Sequence, residues 1–194
     1  MEIRPVKNEE ELEKAYTFLN EQLYPSYERS KYTLEFLKNQ YILNPQLLIL
    51  ALIKNEVTGC AFGWDDNGDV TLGALCVDIN HRRKGTGIDL ISKLEDNAKR
   101  SGFKRINLGS VDDAVDFYIK AGYEGIALVQ SSENSIDELL SVCDGLSVIG
   151  GNIYDGCVNQ IFIKIDLEQR DILREKFITA FPQSNVSIML GKQL

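Results

Sequence analysis

Hydrophobic positions along this chain switch between a two-residue and a roughly four-residue rhythm, and each switch marks a predicted element. Glu2-Ile3-Arg4-Pro5-Val6 reads as a short strand, placed at a sheet edge by its proline. Asn8 suits an N-cap, with Glu9, Glu10 and Glu11 in a first turn where acids complement the helix dipole. Leu12, Ala15, Tyr16 and Leu19 then keep helical spacing, as do Leu34, Leu37 and Tyr41 in a second helix over 33–41. A β-rich block follows. Residues 46–53 read as a buried strand, Lys54-Asn55-Glu56 as a turn and 57–64 as the returning strand. Asp65-Asp66-Asn67-Gly68-Asp69 is a second turn, and 70–78 completes a three-stranded meander.

Helical spacing resumes at Ile88, Ile91, Leu94 and Ala98 and stops at Lys99-Arg100-Ser101-Gly102, basic residues followed by glycine. A strand is expected within 103–110, a helix over 112–121 ended by Gly122, and a strand over 123–131. Beyond 131 the pattern restarts. Ile136, Leu139, Leu140 and Cys143 suit a helix, 146–149 a strand, 160–166 a strand, 168–181 a helix and 186–190 a strand. Together with 123–131 the order is β-α-β-β-α-β, the ferredoxin-like sequence of elements.

Composition narrows the function classes. The 194-residue chain has ordinary hydrophobic content and a net charge of −8, which weighs against binding nucleic-acid backbones and is compatible with a cationic substrate. The longest apolar run, 47–53, is far shorter than the ~20 residues of a membrane span. Met1-Glu2-Ile3-Arg4 has no basic or apolar leader character, so a cytoplasmic location is expected. Cys60, Cys76, Cys143 and Cys157 show no C-x-x-C spacing and His81 is the sole histidine. Free, mostly buried thiols and no metal site are therefore expected.

The segment richest in chemistry is Val77-Asp78-Ile79-Asn80-His81-Arg82-Arg83-Lys84-Gly85-Thr86-Gly87-Ile88, between a strand and a helix. Gly85 and Gly87 let backbone approach a ligand, and the first helical amides are free to bind an anion at the positive end of the dipole. Arg82, Arg83 and Lys84 add three cations suited to phosphate. A dinucleotide fingerprint would need glycine at position 90, where leucine stands, and a P-loop lysine would follow the glycines that Lys84 precedes. What remains is R-x-x-G-x-G, met by Arg82, Gly85 and Gly87.

This pattern resembles the acetyl-CoA pyrophosphate loop of the GCN5-related N-acetyltransferase (GNAT) superfamily. Leu75-Cys76-Val77-Asp78-Ile79 stands where that family has L-x-V-x-P, with isoleucine in place of proline. One helix and one strand later, Ala114-Val115-Asp116-Phe117-Tyr118-Ile119-Lys120-Ala121-Gly122-Tyr123 is similar to the family's N-x-x-A-x-x-[FL]-Y-x-K-x-G-[FY] block. Val111 departs from the family's asparagine, a pantetheine contact for which Ser110 or Asp112 are the available replacements. The resemblance covers about 1–130, so a GNAT domain over 1–130 and a C-terminal α+β extension over 131–194, ferredoxin-like in element order alone, are expected. The implied class is α/β (α+β): a mixed, mainly antiparallel sheet with a central parallel pair, flanked by helices.

The resemblance implies acetyl-CoA as cosubstrate, held by Cys76, Val77, Arg82, Arg83, Lys84, Gly85, Thr86 and Gly87, with an oxyanion donor among the backbone amides near Cys76-Val77. Acetyl transfer needs a neutral amine, an oxyanion site and a proton for the departing thiolate. Tyr118 matches the family's proton donor, against the plainer reading of a packed aromatic, and Asp78 is the first candidate base. Lys120 reads as a solvent-facing cation. A Cys76 acyl-enzyme lacks a histidine to activate it, so direct attack in a ternary complex is favoured. Tyr24-Pro25-Ser26-Tyr27-Glu28 and Tyr32 would frame an acceptor cleft for a small-molecule amine. The competing class is a non-catalytic acyl-CoA sensor whose 131–194 segment serves regulation or homodimer formation. A third reading has loop-prone 145–156 capping a substrate cleft.

Overall fold

The computed structural model describes residues 1–23, 32–110 and 112–194. By packing, the chain forms two compact units, 1–107 with 193–194, and 108–192. In element order they hold β1 (Glu2–Pro5), α1 (Glu9–Leu23), α2 (Leu34–Leu43), β2 (Leu48–Ile53), β3 (Glu56–Asp66), β4 (Asp69–Val77), α3 (Thr86–Arg100), β5 (Arg105–Leu108), α4 (Val115–Lys120), β6 (Glu124–Ser131), α5 (Ile136–Leu140), β7 (Ser147–Tyr154), β8 (Val158–Ile165), α6 (Arg170–Ala180) and β9 (Asn185–Gln193). Mixed helices and mainly antiparallel strands, with one parallel pair, are the class expected from the sequence. No described helix is long and apolar enough to cross a membrane.

In the first unit β1, β2, β3 and β4 pair antiparallel in that order, and β4 pairs parallel with β5. Both tight hairpins form where the turn chemistry predicts. Lys54-Asn55 and Asn67-Gly68 all take positive φ, the handedness that two-residue hairpin loops require. Asn8 Oδ1 accepts the Glu11 amide at 2.9 Å, the cap expected for α1, and Thr33, read from sequence as the first residue of the second helix, is the N-cap of α2. Leu12, Ala15, Phe18 and Leu19 of α1 and Leu37 of α2 pack on Leu48, Leu50, Leu52, Cys60, Phe62, Ala74 and Cys76. The other sheet face meets α3: an added Cβ at Gly59 would stand 2.8 Å from Leu90. Because β2 is covered on both faces, its apolar run is unbroken rather than alternating. Two details differ from the sequence reading. A 3₁₀ turn at Pro45–Leu47 delays β2 to Leu48, and Ile88 is exposed, the buried stripe of α3 being Leu90, Ile91, Leu94 and Ala98.

The second unit has strand order β9-β6-β8-β7, every pair antiparallel. Helix α5 joins β6 to β7, and β8 lies between them, which is the split β-α-β of the expected ferredoxin-like order. Ala127, Val129, Leu139, Cys143, Ile161, Ile163, Leu173, Phe177 and Val186 form its core. Here the structure corrects the sequence reading: residues 147–154 are strand β7, not a loop capping a cleft, and the strand is twice the length expected.

Candidate active site

The phosphate-type loop is built from backbone. Arg83 (φ 58°) and Gly85 (φ 87°) both take the left-handed conformation, which turns successive amides toward one point as in an anion-binding nest. Gly85 is the N-cap of α3 and supplies no side-chain cap, so the leading amides of the helix remain available. The first intrahelical bond is Asp89 N–H to Gly85 O at 3.0 Å. Arg82, Arg83, Lys84 and Gly85 are exposed, while Thr86 is buried. Two cations are tethered back along the loop: Arg82 Nε donates to Val77 O and Lys84 Nζ to Asn80 O, each at 2.9 Å. These contacts hold the cations of the loop beside a helix N-terminus.

Strand β4 leads into this loop with one edge free. Its pairing with β5 covers Val70↔Ile106 and Thr71↔Asn107, yet β4 runs on to Val77 while β5 ends at Leu108. On the opposite edge Gly59 faces Val77, Cys60 faces Cys76, and Asp78 N–H donates to Thr58 O at 2.9 Å. Antiparallel ladders alternate, so Cys76 exchanges its bonds with Cys60, whereas the amides of Leu75 and Val77 point away from β3, into the space β5 does not reach. Of the backbone amides near Cys76-Val77, those of Leu75 and Val77 are the ones that face away from β3.

The Cys76 side chain lies in the core beneath α1, and burial pushes its thiol up to about 12. Such a thiol is protonated at neutral pH, which disfavours a covalent route. Asp78 caps the short turn Ile79–His81 by accepting the Asn80 amide at 2.9 Å, and its Oδ1 lies 3.0 Å from His81 Nδ1. The His81 contact, more than the turn amides, holds the Asp78 carboxyl below its ordinary range. His81, which the sequence reading did not count among the candidates, is the side chain that contacts Asp78. The D-x-x-H spacing around a turn was the available signal.

Tyr118 belongs to the second unit. It is buried on α4 between Phe117 and Tyr123, ring centroids 5.0 and 5.6 Å away, both edge-on. Its carbonyl accepts the Tyr123 amide at 3.0 Å. Lys192 Nζ donates to Ala121 O at 2.8 Å and lies 5.6 Å from the Tyr123 ring centre, closing the turn at Gly122. Lys120 is exposed. Of the acceptor candidates, Tyr24, Tyr27 and Glu28 lie outside the described residues, as does Val111. Tyr32 is buried in a cluster with Phe36, Phe62 and Trp64, its hydroxyl donating to Gly73 O at 3.2 Å. Among the described residues no group of three or more metal-ligating side chains converges.

Comparison with known proteins agrees with this geometry. A model of the acetyltransferase (GNAT) family matches residues 12–123. No curated protein sequence matches. Among solved structures, a GNAT-family acetyltransferase from Staphylococcus aureus Mu50 superposes with a TM-score of 0.56 at 18% identity, covering 85% of this chain and 99% of that one. An aminoglycoside 6′-N-acetyltransferase complexed with coenzyme A gives 0.52 at 17%, covering 85% and 96%. The ribosomal-protein-S18-alanine N-acetyltransferase of Escherichia coli gives 0.50 at 15%, covering 84% and 92%. At these identities the likeness shows the fold.

Proposed function

The chain belongs to the acetyltransferase (GNAT) family, and we propose that it moves an acetyl group from acetyl-CoA to a primary amine of a small molecule, by direct attack in a ternary complex. The observation that carries this reading is the preformed nest at 83–87 set beside the outward amides of β4. That arrangement fits a ligand with a diphosphate at one end and amides along its arm. When bound, acetyl-CoA supplies an acyl thioester, whose carbonyl carbon a neutral amine can take with loss of the thiol.

The chain's own groups divide the work. Loop amides with Arg82, Arg83 and Lys84 hold the diphosphate. The outward amides of Leu75 and Val77 are fixed by the β3–β4 ladder, so they can donate to the acyl oxygen without reorganising. Tyr118 gives its hydroxyl proton to the departing sulfur; ordinary phenol and thiol pKa values, about 10 and 8.5, leave that transfer uphill by only about 2 kcal/mol, small enough to accompany loss of the thiolate. Asp78 remains the base proposed from its place at the end of β4, although its engagement with His81 lowers its proton affinity. The net charge of −8 supports a cationic small-molecule acceptor.

The test is thiol release from acetyl-CoA across polyamines, amino acids, aminoglycosides and short peptides. Acceptor-dependent release is expected, cut at least 10²-fold by Tyr118→Phe with acetyl-CoA binding retained. Asp78→Asn should abolish the acidic limb of the pH–rate profile; an unchanged profile would confine Asp78 to capping the turn. Tight acetyl-CoA binding with no release for any acceptor would point to the acyl-CoA sensor instead.

A further inference from the structure

We infer that Asn67 is this chain's site of spontaneous conversion to aspartate and isoaspartate, and that Asp65 and Asp66 hold the reaction in check. Asn67-Gly68 is the one Asn-Gly step in the sequence. It forms the two-residue loop between β3 and β4, closed by the pair Asp66↔Asp69, and residues 65–68 are all exposed. Glycine has no Cβ to shield the nitrogen that must attack, and nothing lies within 4 Å of one added at Gly68.

The chemistry needs only two neighbouring groups and water. The Gly68 nitrogen gives up its proton and bonds to the side-chain carbonyl carbon of Asn67. That carbon releases Nδ2, which leaves with a proton as ammonia. Water then opens the cyclic imide at either carbonyl, giving aspartate or, with the main chain rerouted through the side chain, isoaspartate. In the folded hairpin both reacting groups are engaged. Gly68 N–H donates to Asp65 Oδ1 at 2.8 Å, which keeps the nucleophile protonated and aimed at a carboxylate. Asn67 Nδ2 donates to Asp66 Oδ1 at 3.2 Å, and Asp66 Oδ2 in turn accepts from Thr71 Oγ1 at 3.2 Å. Positive φ at Asn67 (56°) and Gly68 (92°) sets the tight turn in which these contacts form.

Other asparagines with a small successor are better protected. Ser135 N–H, after Asn134, donates to Glu138 Oε2 at 2.7 Å inside a capping box, and Asn97-Ala98 is buried within α3. Conversion at 67 would set another carboxylate beside Asp65, Asp66 and Asp69, adding one negative charge to a chain of net charge −8. Isoaspartate also lengthens the loop, so the closing pair Asp66↔Asp69 is expected to open.

The test is storage of the full chain at mildly alkaline pH, followed by anion exchange and peptide mapping by mass spectrometry. Wild type should convert first at Asn67. Asp65→Ala should convert there about tenfold faster, the factor that a hydrogen bond to a charged acceptor is worth. Asp66→Ala should fall between the two. In concentrated urea, where neither contact exists, all three should convert at similar rates. Hydrogen exchange separates guarding from unfolding. In Asp65→Ala the Gly68 amide should exchange about tenfold faster, while the Asp78 amide, bonded to Thr58 O, keeps its rate. Conversion appearing first at another asparagine, equal rates for folded wild type and Asp65→Ala, or a parallel rise at both amides would each overturn the proposal.

Discussion

Replacing Gly73 by alanine should be among the most damaging single-methyl changes this chain can suffer. The β3–β4 register passes from Phe62↔Ala74 to Gly63↔Leu72, leaving Gly73 as the unpaired residue of a bulge. An added Cβ would lie 2.2 Å from Cζ3 and 3.0 Å from Cη2 of Trp64, and 3.0 Å from the Tyr32 hydroxyl. Carbon contacts settle near 3.5–4.0 Å, so the indole must retreat by roughly 1.5 Å. It has little room to do so, being packed against Tyr32, Phe36 and Phe62 at centroid distances of 5.7, 5.7 and 5.6 Å. Overpacking of this kind costs about 1–3 kcal/mol, and losing the Tyr32–Gly73 hydrogen bond adds about 1 kcal/mol. The stiffer unfolded chain returns about 0.4–1 kcal/mol. The net expectation is a loss of about 1–3.5 kcal/mol, or a Tm lower by roughly 2–14 °C for a chain of this size. Gly109→Ala is the control: nothing lies within 4 Å of its added Cβ, and its φ is not positive. Urea and thermal unfolding of both variants decide the matter. If Gly73→Ala falls within about 0.5 kcal/mol of Gly109→Ala, the clash argument is wrong. Placing Gly73→Ala on a Trp64→Leu background should shrink its cost, since the couple is a direct contact.

Two further expectations follow from charge and burial. Glu11 receives both Arg4 guanidinium nitrogens at 2.7 Å and the Lys7 amide at 2.9 Å, with Arg4 the main cause of a carboxyl pKa lowered from 4.5 to about 2. A depressed folded pKa contributes stability above the unfolded value, lost as pH falls from about 4.5 toward 2; Glu11→Gln should thus cost about 1–2 kcal/mol at pH 7. Denaturation at pH 7, 4 and 3 should show that gap narrowing with acid, and a constant gap would mean the ion pair contributes nothing. With its thiol near 12, Cys76 is thiolate in roughly one molecule in ten thousand or fewer at pH 7.5. Cys76→Ala should keep acetyl transfer within about threefold of wild type and show no acyl-enzyme burst; a hundredfold loss in a stable variant would restore the covalent route.

Local chemistry made much of the first unit readable from sequence: the Asn8 cap, the two hairpin turns and the Gly85 nest each depend on a few adjacent residues. Pairings between distant segments were not readable in the same way. Arg4 finds Glu11 and Tyr32 finds Gly73 because the fold, not the spacing, brings them within bonding distance. The second unit shows why even a periodic signal can vanish. Gly150 and Gly151 depress strand propensity at the centre of β7, so the stretch resembled a loop. Its apolar positions, 148 and 153, have opposite parity, which breaks the two-residue alternation of a regular strand. Only the bulge at Ile149, visible in the shift from Val148↔Ile163 to Gly150↔Phe162, returns them to one face. One extra residue thus erases the sequence signal of a strand, so reading an edge requires its register as well as its composition.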